Sequence, residues 1–406
     1  MRIRSLFASG ATLCVLFHLG SGACAQNWVP ANAPSVHWQA VASSADGTTL
    51  VAVAYYTNGV VPGDIYTSTD GGTNWTQTSQ VHANWVSVAA SMDGSRFVAV
   101  SSYQDTTLGT PGLIYTSADG GATWGPTLAP NTNWLSVASS ADGSKLMAGT
   151  LYPHPGVIYT SQNYGANWTA KDSGVARWQG VASSADGTKL VGVNYSGEGS
   201  LSTDSGTSWT PDNQPFAAWT FVASSVDGTK LVAVAYDMFA YPGLIYTSTD
   251  AGGNWTPRNA PRETWQGVAC STDGTKIVAV AADGAIYTSS DSGANWVPNN
   301  APFLNWQGVA CSADGNHMVA VSTNGQIYVA QAQSPPVLNI TLSGGNAIIT
   351  WPVPSAAVYS LTQNDNLAQT AWTPVLTPSM VVNGQNQVTI LSPTGKNFYR
   401  LERPGP

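Results

Sequence analysis

Residues 265–298 read WQGVACSTDGTKIVAVAADGAIYTSSDSGANWVP. Trp265–Cys270 is a short apolar run of strand length. Asp273-Gly274 follows as a hairpin signal, because an Asp-Gly pair tolerates the positive φ that tight hairpins demand. TKIVAVA is the returning strand, and a short loop leads to a third strand, IYTS. A glycine-rich turn then delivers NWVP, the fourth. Four antiparallel strands within roughly 40 to 45 residues is the size of one propeller blade. No room is left for a helix between strands, which argues against a parallel sheet.

The chain of 406 residues carries seven such units. Their first tryptophans are Trp38, Trp85, Trp134, Trp178, Trp219, Trp265 and Trp306, spaced by 47, 49, 44, 41, 46 and 41 residues. Each unit then reaches an Asp-Gly pair, from Asp46-Gly47 to Asp314-Gly315. The third turn carries S-x-D-x-G-x-x-W, as in STDGGTNW (68–75), SADGGATW (117–124), STDSGTSW (202–209), STDAGGNW (248–255) and SSDSGANW (289–296). A further copy, SQNYGANW (161–168), has Asn163 in place of Asp. The key positions are Asp70, Asp119, Asn163, Asp204, Asp250 and Asp291. Ser and Asp side chains there can bind nearby backbone N–H groups and fix a turn. Gly supplies permissive φ, and Trp starts the next strand with a large apolar surface.

This motif resembles the Asp-box, or BNR, repeat of sialidase-like β-propellers, over about residues 27–333. The resemblance implies that the boxes are structural and lie on the face away from the binding site. The repeat style is also similar to the seven-bladed propellers related to photosystem II assembly factors. That likeness implies a protein-binding scaffold.

The seventh unit stops at Gln333 without a box or a fourth strand, whereas Asn27–Pro30 (NWVP) is a fourth strand without a unit. If the two pair, the ring closes and no sheet edge is left open. The expected fold is therefore all-β: a seven-bladed β-propeller closed by an N-terminal strand (26–333), followed by a small β-sandwich (334–406). The tail reads as five to seven alternating strands and resembles fibronectin-like modules of secreted bacterial proteins. Trp351 and Trp372 are its candidate surface-attachment residues.

Residues 1–25 look like an export signal: Arg2 and Arg4, an apolar stretch Leu13–Leu19, and Ala23-Cys24-Ala25 before Gln26. Cleavage after Ala25 and a secreted or periplasmic location are expected, with acylation of Cys24 as the rival. Losing Arg2 and Arg4 leaves 12 basic against 22 acidic residues, a net charge of −10. So acidic a chain lacks the electrostatic footprint of a nucleic-acid binder. No later segment is apolar enough to span a membrane. Cys270 and Cys311 occupy one repeat position, either as small buried residues or as an inter-repeat disulfide. A monomer is expected.

Features common to all copies most simply serve the fold, and features of one or two copies mark where a site could sit. The loop between strands two and three is the most unequal segment. With the inter-unit connections it emerges on the face opposite the boxes. It places Tyr55, Tyr56, Tyr103, Tyr152, His154, Tyr195, Phe239 and Tyr241 as candidates for sugar rings or a protein partner. Arg177, Arg258 and Arg262 lie in the connections, where Arg177 and Arg258 could hold a carboxylate. Arg96 stands where other units have Lys. No cofactor is expected. The four histidines outside the leader, His37, His82, His154 and His317, have no metal-ligand spacing.

Catalysis is the alternative. The sialidase resemblance implies an arginine cluster, a tyrosine nucleophile with a glutamate, and an acid/base aspartate. Six arginines follow the leader, and Arg400 and Arg403 fall in the tail. Glycosidase chemistry also wants two facing carboxylates. Asp64, Asp105, Asp172, Glu198, Asp212, Asp237, Glu263 and Asp283 offer no evident pair. The sequence favours a non-enzymatic binder of a protein or polysaccharide over a glycoside hydrolase.

Overall fold

A computed structural model describes residues 26–55, 63–78, 82–102, 112–152, 156–171, 177–197, 199–212, 215, 217–236, 243–331, 338–352, 360–366, 372–391 and 395–402. For 3–8, 11–16, 152, 236, 331, 395–396 and 402 it describes the backbone alone. The described regular structure is all strand, and the chain divides into two units, Ala23–Ala332 and Met1–Gly22 with Gln333–Pro406.

In the larger unit the described strands form seven four-stranded antiparallel sheets. We number them by their first strands: Trp38–Ser43, Trp85–Ala90, Asn133–Ser139, Trp178–Ser183, Ala218–Ser224, Trp265–Cys270 and Trp306–Cys311. Sheets 1 to 6 each use four consecutive strands. Sheet 7 takes its fourth from the start of the unit: Asn27–Pro30 runs antiparallel to Ile327–Gln331, with Trp28 opposite Ala330 and Val29 opposite Val329. The repeated sheets make a β-propeller.

Strand alternation explains how neighbouring sheets meet. Leu50, Ala52 and Ala54 point one way and pack with Trp38 against Val319, Val321 and Ile327 of sheet 7. Val51 and Val53 point the other way, onto Trp85 of sheet 2. The same arrangement recurs at every sheet-to-sheet contact, each centred on one first-strand tryptophan. All seven are fully buried. Six stand edge-on to the third-strand tyrosine of their own sheet, as Trp38 does to Tyr66 at 4.9 Å. Sheet 4 has Ser200 at that position.

At the Asp-Gly end the sheets are also tied backbone to backbone. Ala45 N–H donates to Met92 O, Met92 to Ala141, Ala141 to Ala185, Ala185 to Val226, Val226 to Thr272, Thr272 to Ala313, and Ala313 back to Ala45, all within 2.7–2.9 Å. The circuit ends where it starts.

Two turn designs hold this end. In the first, Ser44 Oγ donates to Asp46 Oδ1 (2.5 Å) and accepts from Thr49 N–H (3.0 Å), while Asp46 Oδ1 accepts from Thr48 N–H (2.9 Å). In the S-x-D-x-G-x-x-W turn, Asp70 Oδ1 accepts from Ser68 Oγ (2.8 Å) and Asn74 N–H (3.0 Å). Gly72 N–H donates to Ser68 Oγ at 2.9 Å, and Trp75 Nε1 donates to Gly72 O at 2.9 Å. Gly72 has φ +87°, and an added Cβ would lie 2.6 Å from Val329, so both conformation and space require glycine there.

The smaller unit contains two sheets. One orders Asn339–Ser343, Asn346–Pro352, Gln385–Ile390 and Met380–Val382; the other joins Gly395–Glu402, Ser360–Asn364 and Thr373–Pro374. Side chains from both enter one core, including Ile349, Val388, Leu361 and Tyr399. Trp351 is 2% exposed in that core and is unavailable for surface attachment, contrary to one sequence expectation. Trp372 packs on Phe398, with the Arg400 guanidinium 4.2 Å from its ring centre. Ile3–Ala8 and Ala11–Leu16 pair as a hairpin whose second strand runs parallel to Gly395–Glu402.

Three outcomes are expected. Trp28 is 4% exposed between sheets 6 and 7, so Trp28→Ala should cost about 3–5 kcal/mol, the usual range for a buried tryptophan. Deleting residues 26–36 should lower the melting temperature sharply, and an unchanged melt would contradict the pairing. The turn aspartates respond to acid. Hydrogen bonds from Ser140, Ser144 N–H and the Ser144 hydroxyl lower Asp142 from 3.8 to about 2. Serine and threonine donors in the corresponding turns likewise bring Asp186 and Asp227 to about 2. The unfolded chain therefore binds more protons between these values, and this stabilisation, complete above the unfolded value of 3.8, is lost as pH falls toward 2. Thermal melts across that window should fall steeply; a flat profile would contradict the turn assignment.

Candidate functional site

The seven first strands share one irregularity. In each, the register slips just after the tryptophan, between Trp38 and Ala40 in sheet 1 and between Trp306 and Gly308 in sheet 7. The other five repeat it. A bulge of this kind leaves one residue unpaired and re-aims its side chain. The residues released are Gln39, Val86, Leu135, Gln179, Thr220, Gln266 and Gln307. All seven line one cavity of about 270 Å³, joined by Tyr195 and Phe221. Each sheet contributes one such side chain, so the cavity is the central channel at the end where the strand-two-to-three loops emerge.

The chemistry of this mouth is neutral. Four primary amides each present a donor and an acceptor side. Gln307 Nε2 donates to Asn305 Oδ1 at 3.2 Å, and the Thr220 hydroxyl donates to Val234 O at 3.2 Å. Tyr195 and Phe221 add aromatic surface, Val86 and Leu135 aliphatic surface. The described lining is uncharged, made of amide, hydroxyl, aliphatic and aromatic side chains.

Of the aromatic residues expected on this face, Tyr195 reaches the channel. Tyr55 lies outside the lining, its ring centre 6.0 Å from His37 and its N–H on His37 O. Burial lowers the His37 pKa below its ordinary value, which favours the neutral ring. Tyr152 is described only as backbone, opposite Asn133. Tyr56, Tyr103, His154, Phe239 and Tyr241 lie outside the described residues.

The arginines are dispersed. Arg177 has φ +65°, and its backbone crowds Gly156. Arg258 turns between sheets: its Nε donates to Thr247 Oγ1 at 2.5 Å, and its Cγ passes close to Gly293. Arg262 is exposed. The described acids of this end have partners apart from one another. Asp64 pairs with His82 Nδ1 at 2.5 Å, and Glu263 accepts from the Tyr287 hydroxyl at 3.0 Å. The Asp212 carboxylate covers Gly199 of its own sheet. Asp283 sits in a turn at φ +48°. Asp105, Asp172, Glu198 and Asp237 lie outside the described residues.

The opposite mouth is lined by Ser43, Ala90, Ser139, Ser183, Ser224, Cys270 and Cys311, above the backbone circuit. Both thiols are free. Burial pushes the Cys270 thiol up to about 12 and Cys311 upward as well. Both are thus weak nucleophiles at neutral pH. Among the described residues no three His, Cys, Asp or Glu side chains gather in a metal-binding group, and no helix is long and apolar enough to cross a membrane.

No protein-family model and no curated protein matches the chain. Solved structures do. The structure of YCF48 bound to D1 peptide superposes with TM-score 0.55 at 16% identity, covering 76% of this chain and 96% of that one. YCF48 from Cyanidioschyzon merolae gives 0.55 at 14%, covering 76% and 99%. The GH74 xyloglucanase from Xanthomonas campestris gives 0.59 at 14%, covering 80% of this chain and 59% of the enzyme. At these identities the likeness establishes the β-propeller fold alone.

Proposed function

We propose that this chain is an exported, non-enzymatic, seven-bladed Asp-box propeller that binds a protein or polysaccharide at the loop-face mouth of its channel. Its ring is closed by Asn27–Pro30. The pairing of that strand with Ile327–Gln331 and the cyclic backbone bonds support closure. Export rests on the leader-like sequence of residues 1–25; Gln26, which follows it, donates its N–H to Asn299 Oδ1 at 2.5 Å. The smaller unit is read as a fibronectin-like accessory module.

One observation carries the binding assignment: seven bulges deliver seven uncharged side chains to one opening. Amides stand beside aliphatic and aromatic groups there, which suits the hydroxyls and C–H faces of neutral sugars or the backbone of an extended peptide. The two YCF48 neighbours, one of them bound to a peptide, lend weight to a protein ligand. The xyloglucanase neighbour makes a glycan reasonable, and with it the alternative of hydrolysis. A hydrolase would require two facing carboxylates, whereas the channel lining among the described residues is neutral.

Glycan-array and pull-down assays with the exported protein test this reading. Replacing Gln39, Gln179, Gln266 and Gln307 together by Ala should weaken binding at least about tenfold, since each lost hydrogen bond removes about 0.5–1.5 kcal/mol. Undiminished binding by that variant would move the site elsewhere. Hydrolysis of β-glucans or sialosides by the purified protein would overturn the non-enzymatic assignment.

A further inference from the structure

Seven copies of one unit make single-copy departures easy to identify, and three of them converge on one groove between sheets 2 and 3 at the turn end. Four units place a lysine just after the Asp-Gly turn. Lys145, Lys189 and Lys230 each donate to the next sheet's turn carbonyl at 2.7–2.8 Å, and Lys276 reaches Asn316 Oδ1. Sheet 2 has Arg96. Its stem follows the same path along Gly143, but its guanidinium turns away and lies 4.2 Å from the ring centre of Tyr164. Tyr164 is itself unique, since the other boxes have Gly, Ser or Ala there. Beside it Asn163 replaces the box aspartate and removes one negative charge.

The third departure is Gly125. The corresponding fourth-strand position is Val29, Thr76, Thr169, Thr210, Thr256 or Val297 elsewhere. A Cβ added at Gly125 would meet nothing within 4 Å, so the missing side chain leaves open space. The result is a cavity of about 220 Å³, lined by Arg96, Tyr164, Gly125, Thr116, Thr123 and Phe97 among others. It lies at the turn end, away from the channel mouth with its seven bulged residues.

We infer that this groove binds a small carboxylate of the sugar-acid class, such as a single uronate residue. Its volume falls below the roughly 300–1,000 Å³ of drug-sized sites and fits one monosaccharide. The Arg96 guanidinium makes no hydrogen bond or ion pair with a described residue, leaving its fork for a carboxylate, which guanidinium binds in bidentate fashion. Thr116 lines the groove, the Thr123 hydroxyl, whose proton goes to Asp119, can still accept from a ring hydroxyl, and Tyr164 adds aromatic surface. Asp119 is the carboxylate next in sequence to the lining, but it already accepts from Thr123 Oγ1 (2.6 Å), Thr123 N–H (2.9 Å) and Ser117 Oγ (2.8 Å).

NMR or calorimetric titration of the full chain with glucuronate, glucose and sulfate tests the inference. Glucuronate should bind, glucose should bind at least about tenfold more weakly for want of the charge-assisted pair, and sulfate should not match glucuronate. Gly125→Thr restores the residue of the other copies, fills the groove and should abolish binding with the melting temperature unchanged. Arg96→Lys should weaken binding at least about tenfold. No binding of glucuronate to the wild type, equal binding of sulfate, or undiminished binding by folded Gly125→Thr would each overturn the proposal. None of these outcomes bears on the loop-face assignment.

Discussion

Seven backbone N–H groups, from Ala45 round to Ala313, each need the carbonyl of the next sheet, and the seventh needs the first. That requirement governs everything else in the larger unit. It brings the first strands within hydrogen-bond reach at one end, where only small side chains such as Ser43, Ala90 and Ser139 fit inside. The buried tryptophans then set the spacing further out, one wedge per sheet contact. A stack of four-stranded sheets that failed to return on itself would expose the apolar faces of its first and last sheets. Borrowing the last outer strand from the beginning of the unit lets Asn27–Pro30 complete the last sheet while Asn32 N–H donates to Thr73 O of the first.

The same geometry gives the protein a usable opening. The strands are tied at the turn end and must diverge toward the loop end. A bulge after each tryptophan keeps the indole wedged between sheets while its neighbour faces the channel. Architecture and site thus share adjacent residues. Trp265 and Gln266 show the division: the wedge must be large and apolar, whereas the next residue is free to vary. Across the sheets that next residue is Gln, Val, Leu or Thr.

Much of the fold was legible in the sequence because its signals are local and repeated. Asp-Gly pairs, serine-aspartate turns and Trp-initiated strands each carry their own physical reason, and the orphan NWVP could be matched to a unit lacking its outer strand. The site was less legible. The bulged residues differ from sheet to sheet and break no local rule; of the loop aromatics expected on that face, Tyr195 reaches the channel. Arg258 looked available in a connection, but strand register turns it onto Thr247. Trp351 looked like an attachment residue, although its alternation with Ala347 and Ile349 already placed it on the inward face. Arg96, Asn163 and Gly125 were visible as departures, but only the three-dimensional neighbourhood shows Arg96 and Gly125 meeting Tyr164 in one groove.

Native-state hydrogen exchange of the circuit amides tests ring closure most directly. The N–H groups of Ala45, Met92, Ala141, Ala185, Val226, Thr272 and Ala313, with those of the closing strand, should exchange together, through global unfolding alone. Fast exchange confined to Ala313 and residues 27–29, with the other sheets still protected, would show an open stack and contradict the account.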